Sequence, residues 1–199
     1  MSKRLIIINS CFILLFLLIL FSINSLWLYN IEFSVFKSLE WLRTDNIIAI
    51  FKFITDFGST RLLILITILA IVMVRKPIHR ILIGLNLPLV YGLNVLLKEI
   101  ILRPRPDFRL FDQSGFSFPS GHAMVSFAVY GLFIYFIYKS KMDDVYKKIS
   151  IGLISLLIFL IGFSRILFGV HYMSDVIAGF LIGFVYLSVY ICYLIKKRG

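Results

Sequence analysis

The sequence predicts an all-α fold, an integral-membrane bundle of six transmembrane helices forming one domain over residues 1–199. Three observations carry this reading. The chain is 60% hydrophobic with a mean hydropathy of +0.98, far beyond what a soluble core needs. Apolar runs recur along its whole length, each near the roughly 20 residues that cross a bilayer as a helix. Its basic residues gather at the ends of those runs.

The first span, Leu5 to Leu28, follows Lys3 and Arg4 as a signal peptide would, but it is long and no small-residue cleavage site follows Phe21. It therefore reads as a retained span. From Glu32 to Phe57, apolar Val35, Leu39 and Leu42 have Glu32, Lys37, Glu40 and Arg43 between them, and Trp41 is an interface anchor. One or two helices lying on the outer surface fit this stretch, either lining a path for lipid or serving as an amphipathic connector. The second span, Thr60 to Val74, is short and borrows interfacial residues such as Phe57. The remaining four run from Ile78 to Leu97, Ala123 to Tyr138, Ile149 to Phe163 and Val176 to Ile195. Cys11 and Cys192 lie inside spans without ligand-like spacing and read as small hydrophobes.

A formal net charge of +11 would point to nucleic acid in a soluble protein. Here membrane topology accounts for it, and no nucleic-acid partner is expected. The amino terminus, the second and fourth loops and the tail (Lys196, Lys197, Arg198) together hold twelve Lys and Arg against the acids Asp143 and Asp144, while the other side holds nine against eight acids. By the positive-inside tendency both termini are cytoplasmic. The third loop, Lys98 to His122, and the fifth, Ser164 to Asp175, then both face outward.

Those two loops hold three polar blocks. In the first, Lys98 precedes Arg-Pro-Arg-Pro; Pro104 and Pro106 end the helix, so Lys98 from its last turn and Arg105 from the loop can converge on one anion. The second is Pro119-Ser120-Gly121-His122 at the start of a span. Gly121 allows a tight turn, the helix start offers free N–H groups to a phosphate, Ser120 adds a hydroxyl or caps the helix, and His122 sits beside the anion. The third is Ser164-Arg165-x5-His171-x3-Asp175. On a helix His171 and Asp175 share a face, so the carboxylate can fix the imidazole tautomer and free the other nitrogen to attack, while Arg165 supplies a forked cation. Taken singly, a His-x3-Asp pair is mostly a helix-surface contact, and Pro-Ser-Gly-His is mostly a turn and cap. Ionisable clusters gathered at one membrane edge are a different matter, because they are expensive to place there and mark function. Three cations at such a site oppose a divalent ion, so neither metal nor other cofactor is expected. His79 reads as solvated in a basic inner loop, and Glu99, Asp107 and Asp112 as possible ion-pair partners that hold the third loop.

In their order and spacing, Lys98-x6-Arg105-Pro106, Pro119-Ser120-Gly121-His122 and Ser164-Arg165-x5-His171-x3-Asp175 resemble the three signature blocks of the type 2 phosphatidic acid phosphatases, a superfamily that includes vanadium haloperoxidases and bacterial acid phosphatases. The resemblance implies a two-step displacement without metal. His171 attacks phosphorus with Asp175 orienting it, and His122 protonates the leaving oxygen and then activates water. Lys98, Arg105, Ser120, Gly121 and Arg165 hold the phosphoryl oxygens. Small bacterial members of the family act on undecaprenyl diphosphate, phosphatidylglycerophosphate or phosphatidic acid, so the implied partners are a phosphorylated lipid and the bilayer. An outward site in the cytoplasmic membrane suits undecaprenyl diphosphate, whose carrier is recycled on that face. Two rival readings are a haloperoxidase, whose relatives are soluble and larger, and a non-enzymatic lipid-binding or flipping protein with a disabled site.

Overall fold

The computed structural model describes residues 2–192. Among them, eight α-helices and one 3₁₀ turn follow in order, with no strand: α1 (Lys3–Ser22), α2 (Leu26–Ser38), the 3₁₀ turn (Glu40–Leu42), α3 (Asp45–Asp56), α4 (Thr60–Met73), α5 (Pro77–Ile101), α6 (Gly121–Lys139), α7 (Asp144–Leu167) and α8 (Met173–Tyr190). Helices α1, α5, α6, α7 and α8 are each long and apolar enough to cross a membrane. A sixth span exists only if α3 and α4, bent by 48° at their junction, are counted as one. The short second span thus extends backwards through a break at Phe57, Gly58 and Ser59, where Ser59 restarts the helix by accepting a hydrogen bond from Leu62 N–H.

The first span ends earlier than its hydropathy predicts. The chain leaves the helix at Ile23, and Leu26, Trp27 and Leu28 open α2 instead. Hydropathy averages over the polar group Ser22, Asn24 and Ser25, whose serine hydroxyls bond nearby carbonyls and favour a turn. The last span is helical to Tyr190; Tyr193 to Ile195 and the basic tail lie outside the described residues. His79 is also not simply solvated, since it lies in the first turn of α5 with its ring 4.9 Å from that of Phe136.

Helix α6 is the hub, packed against α5, α7 and α8. Its close crossing with α8 depends on two glycines one turn apart. A Cβ on Gly179 would stand 2.8 Å from Ser120 O, and one on Gly183 3.0 Å from Met124 O. Small residues at this spacing let two backbones approach, which membrane helices need because lipid offers no hydrophobic drive for association. The approach seats the start of α6 on the start of α8, where Ser120 N–H donates to Asp175 O at 3.0 Å.

The two ends of the bundle are distinct. Ser188 donates to Asn9 at 2.9 Å and Tyr190 to Leu82 O, so the beginnings of α1 and α5 and the end of α8 lie together. At the other end Arg103 reaches Ile23 O at 3.5 Å, and residues 102–120 fold onto residues 168–175. All three polar blocks are at this second end.

Candidate active site

Helix α5 ends at Ile101, with Leu102 in the left-handed conformation (φ 55°) ahead of Pro104 and Pro106. This reversal leaves Lys98 in the last turn, its Nζ donating to Phe116 O, and returns Arg105 toward the fifth loop. Arg105 Nη1 donates to Val170 O at 2.9 Å and stands 3.2 Å from His171 Nε2. Its Nε and Nη2 bond Ser114 and Gly115 carbonyls, which fixes the plane of the fork.

His171 is almost fully buried and Asp175 completely so. They do not share a helix face, because α8 begins only at Met173. They meet because the chain before the helix folds back over its first turn, the position where a carboxylate is stabilised by free N–H groups and the helix dipole. Asp175 Oδ2 accepts from Tyr172 N–H at 2.8 Å and from the Ser117 hydroxyl, and it lies 3.4 Å from His171 Nδ1. Oδ1 accepts from Arg103 Nη1 at 2.6 Å. Ser117 Oγ is also 3.3 Å from Nδ1. These acceptors place the imidazole proton on Nδ1 and leave the Nε2 lone pair facing Arg105. Burial pushes the His171 pKa down from 6.5 to about 3, against the hydrogen bond to Asp175, which raises it. The imidazole is therefore neutral at physiological pH.

Ser120, Gly121 and His122 open α6, but Gly121 acts differently from the sequence reading. Of the two roles that reading offered Ser120, the side-chain cap is not formed. The Ser120 hydroxyl is buried with no partner among the described residues. Gly121 is not in a turn conformation that only glycine adopts; its missing Cβ makes room for Asn94 Oδ1, which would otherwise be 2.9 Å away. Asn94 in turn donates to Pro119 O at 3.3 Å. His122 stands beside Gly58, whose added Cβ would be 2.9 Å from its ring, and within electrostatic reach of Arg165, His171, Arg105 and Lys98.

Arg165, in the last turn of α7, is gripped from two sides. Nη1 donates to Thr55 at 2.9 Å and Nη2 to Gln113 at 2.7 Å, while its buried Nε has no partner among the described residues. Among the described residues no group of three or more His, Cys, Asp and Glu side chains is placed to hold a metal ion.

Six residues that sequence reasoning passed over complete the surroundings: Thr55, Asn94, Gln113, Ser117, Arg103 and Glu32. The largest correction concerns Glu32, read as a polar residue of an outer connector. It is 2% exposed and paired to Arg103 at 2.8 Å. The overlooked signal is its spacing, since Leu28, Glu32 and Phe36 are the buried residues of α2 and lie on one stripe.

Residues 80–198 match the family model of the PAP2 superfamily. The chain belongs to the PAP2 superfamily. Over 106 residues it is 42% identical to phosphatidylglycerophosphatase B of Bacillus subtilis (strain 168), a match covering 50% of this chain and 52% of that protein, so the alignment spans about half the length of the curated relative. Among solved structures, the transmembrane PAP2 type phosphatidylglycerolphosphate phosphatase of Bacillus subtilis superposes with a TM-score of 0.88 at 28% identity, covering 96% of this chain and 97% of that one. LpxE of Aquifex aeolicus gives 0.65 at 25%, covering 81% and 94%. The PAP2 model covers all three polar blocks, and the fold as a whole is that of a membrane PAP2 protein.

Proposed function

We propose that this PAP2 protein is a metal-independent membrane lipid phosphatase that works through a phosphohistidine. The observation that carries the proposal is the setting of His171: neutral, with Nδ1 held against Asp175 and Nε2 3.2 Å from Arg105, within electrostatic reach of Lys98. Lys98, Arg105, Arg165, the Ser120 hydroxyl and the N–H groups at Gly121 would bind the phosphoryl oxygens. Nε2 would attack phosphorus and form the N–P bond as the P–O bond to the lipid breaks, with His122 giving its proton to the leaving oxygen. A water deprotonated by His122 would then attack the phosphohistidine, releasing phosphate and restoring both histidines. Donors already aimed at the developing charge would supply much of the rate.

Phosphatidylglycerophosphate is the substrate we propose first, since both Bacillus subtilis relatives are named for it. Undecaprenyl diphosphate is the second reading, and the specific observation favouring it is that the site lies at the bundle end opposite the beginning of α1. With Lys3 and Arg4 cytoplasmic, that end would face outward from the cell membrane, where this carrier is released. The test is phosphate release by the purified, detergent-solubilised chain, with chelator, from phosphatidylglycerophosphate, undecaprenyl diphosphate and phosphatidic acid in parallel, with His171→Ala as control. Chelator-resistant release absent from the variant supports the mechanism, and the order of kcat/KM assigns the substrate. Release that needs added metal, or that persists in His171→Ala, overturns it.

A further inference from the structure

We infer that Glu32 and Arg103 are positioning residues of the catalytic centre, acting through Asp175 on His171. The inference rests on the reading of His171 as nucleophile and deepens it.

Arg103 lies on the far side of Asp175 from His171 and is 5% exposed. Its Nη1 donates to Asp175 Oδ1 at 2.6 Å and to Ser174 Oγ at 2.8 Å, while Nη2 donates to Glu32 Oε2 at 2.8 Å. Its guanidinium carbon stands 4.0 Å from the centre of the Tyr172 ring. Glu32 closes the circuit, since Oε1 accepts from Ser174 N–H at 3.1 Å and from the Ser174 hydroxyl. One planar fork is thus held by a carboxylate on α2, a hydroxyl on α8 and an aromatic face, and the Nη1 that bonds the hydroxyl also donates to Asp175. With Oδ1 engaged there, Oδ2 is turned to His171.

Stability alone does not account for such an arrangement. A buried ion pair costs so much desolvation that well-packed apolar residues commonly serve as well or better. Geometry is what it supplies. Lysine, a point charge without a planar fork, cannot bond Glu32, Ser174 and Asp175 in these directions at once. The circuit also ties α2 to the nucleophile, giving an outer connecting helix a fixed place against the site.

The experiment is a double-mutant cycle on the full chain in detergent, with phosphatidylglycerophosphate as probe, comparing wild type, Glu32→Gln, Asp175→Asn and the double variant, with His171→Ala as control. Rates are taken per folded molecule, with each variant's melting transition above the assay temperature. Glu32→Gln is expected to lower kcat by about 10- to 100-fold, the range for partners that orient a working histidine, with KM within about twofold. Once Asp175 is Asn the same substitution should cost less than about threefold, because residues acting through one another are not additive. A loss that multiplies unchanged in the double variant, or a Glu32→Gln kcat within about threefold of wild type, overturns the inference while leaving the nucleophile reading intact. Should Glu32→Gln fail to fold, Arg103→Lys takes its place in the cycle, with the same outcomes. Turnover surviving in His171→Ala overturns both readings.

Discussion

The two sides of His171 are built on opposite principles. Behind it, on the Nδ1 side, polar groups are matched: Asp175 accepts from Arg103, Ser117 and Tyr172 N–H, and Arg103 is in turn bonded by Glu32 and Ser174. Ahead of it, Nε2 faces Arg105 at 3.2 Å, and two buried donors of the other polar blocks, the Ser120 hydroxyl and Arg165 Nε, have no partner among the described residues. Buried polar groups are normally satisfied, and exceptions need a reason. Under the proposed mechanism, the contrast separates what must hold still from what must stay available to an anionic group.

The most severe way to break this comparison is to remove the residue between the two sides. His171→Asn should abolish turnover, by at least about 10⁴-fold, as loss of a nucleophile does elsewhere. The same variant tests the buried imidazole by stability. Its folded pKa of about 3 lies below the ordinary 6.5, so the group contributes stability that is fully present above about pH 6.5 and is lost as pH falls toward 3. Melting temperatures of wild type should therefore drop through that window more steeply than those of His171→Asn. Parallel curves would show that the histidine is not held neutral by burial.

Next come two serines that sharpen the comparison. Ser120→Ala removes an unpaired hydroxyl, so the melting temperature should stay level or rise, while kcat/KM for a lipid phosphate falls by about 10²–10³-fold, the usual loss for one oxyanion donor. Ser117→Ala removes a paired hydroxyl from Asp175, which keeps its other donors. Its expected loss is about 10-fold in kcat, together with about 1 kcal/mol of stability. Equal stability losses in the two variants would erase the distinction between the sides.

The same division explains what was legible in the sequence. Lys98, Arg105, Ser120, His122, Arg165, His171 and Asp175 stand at helix breaks marked by proline or glycine in an otherwise apolar chain, so they were conspicuous as candidates. A bundle of five or six apolar spans was legible from hydropathy alone, though not the bend at Gly58 or the early end of α1, which depend on short polar interruptions. The supporting residues were not legible, because their partners are remote in sequence: Glu32 bonds residues 71 and 142 positions away, and Thr55 reaches Arg165 across 110. No local spacing encodes such contacts. Only the lone carboxylate on an apolar stripe at Leu28, Glu32 and Phe36 gave a hint, and charges alternating along the same segment hid it.

The last comparison concerns packing at two glycines, one beside the site and one farther along α6. Gly58 lies where α3 bends into α4, and a Cβ there would stand 2.5 Å from Ile161 Cγ2 and 2.9 Å from the His122 ring. Gly131, ten residues along α6 from Gly121 and so roughly 15 Å away, would place its Cβ 2.5 Å from Leu187 Cδ2. Both alanine variants overfill a close contact and should cost about 1–3 kcal/mol. Gly58→Ala must in addition push either Ile161 or the imidazole of His122, and should lower kcat on the order of 10-fold, short of the 10²-fold that a 1 Å misplacement can bring. Gly131→Ala should leave kcat unchanged per folded molecule. Equal kcat in the two would mean that Ile161 yields instead of His122, so that the position of His122 is set from α6 alone and the bend at Gly58 is a feature of the span, not of the site.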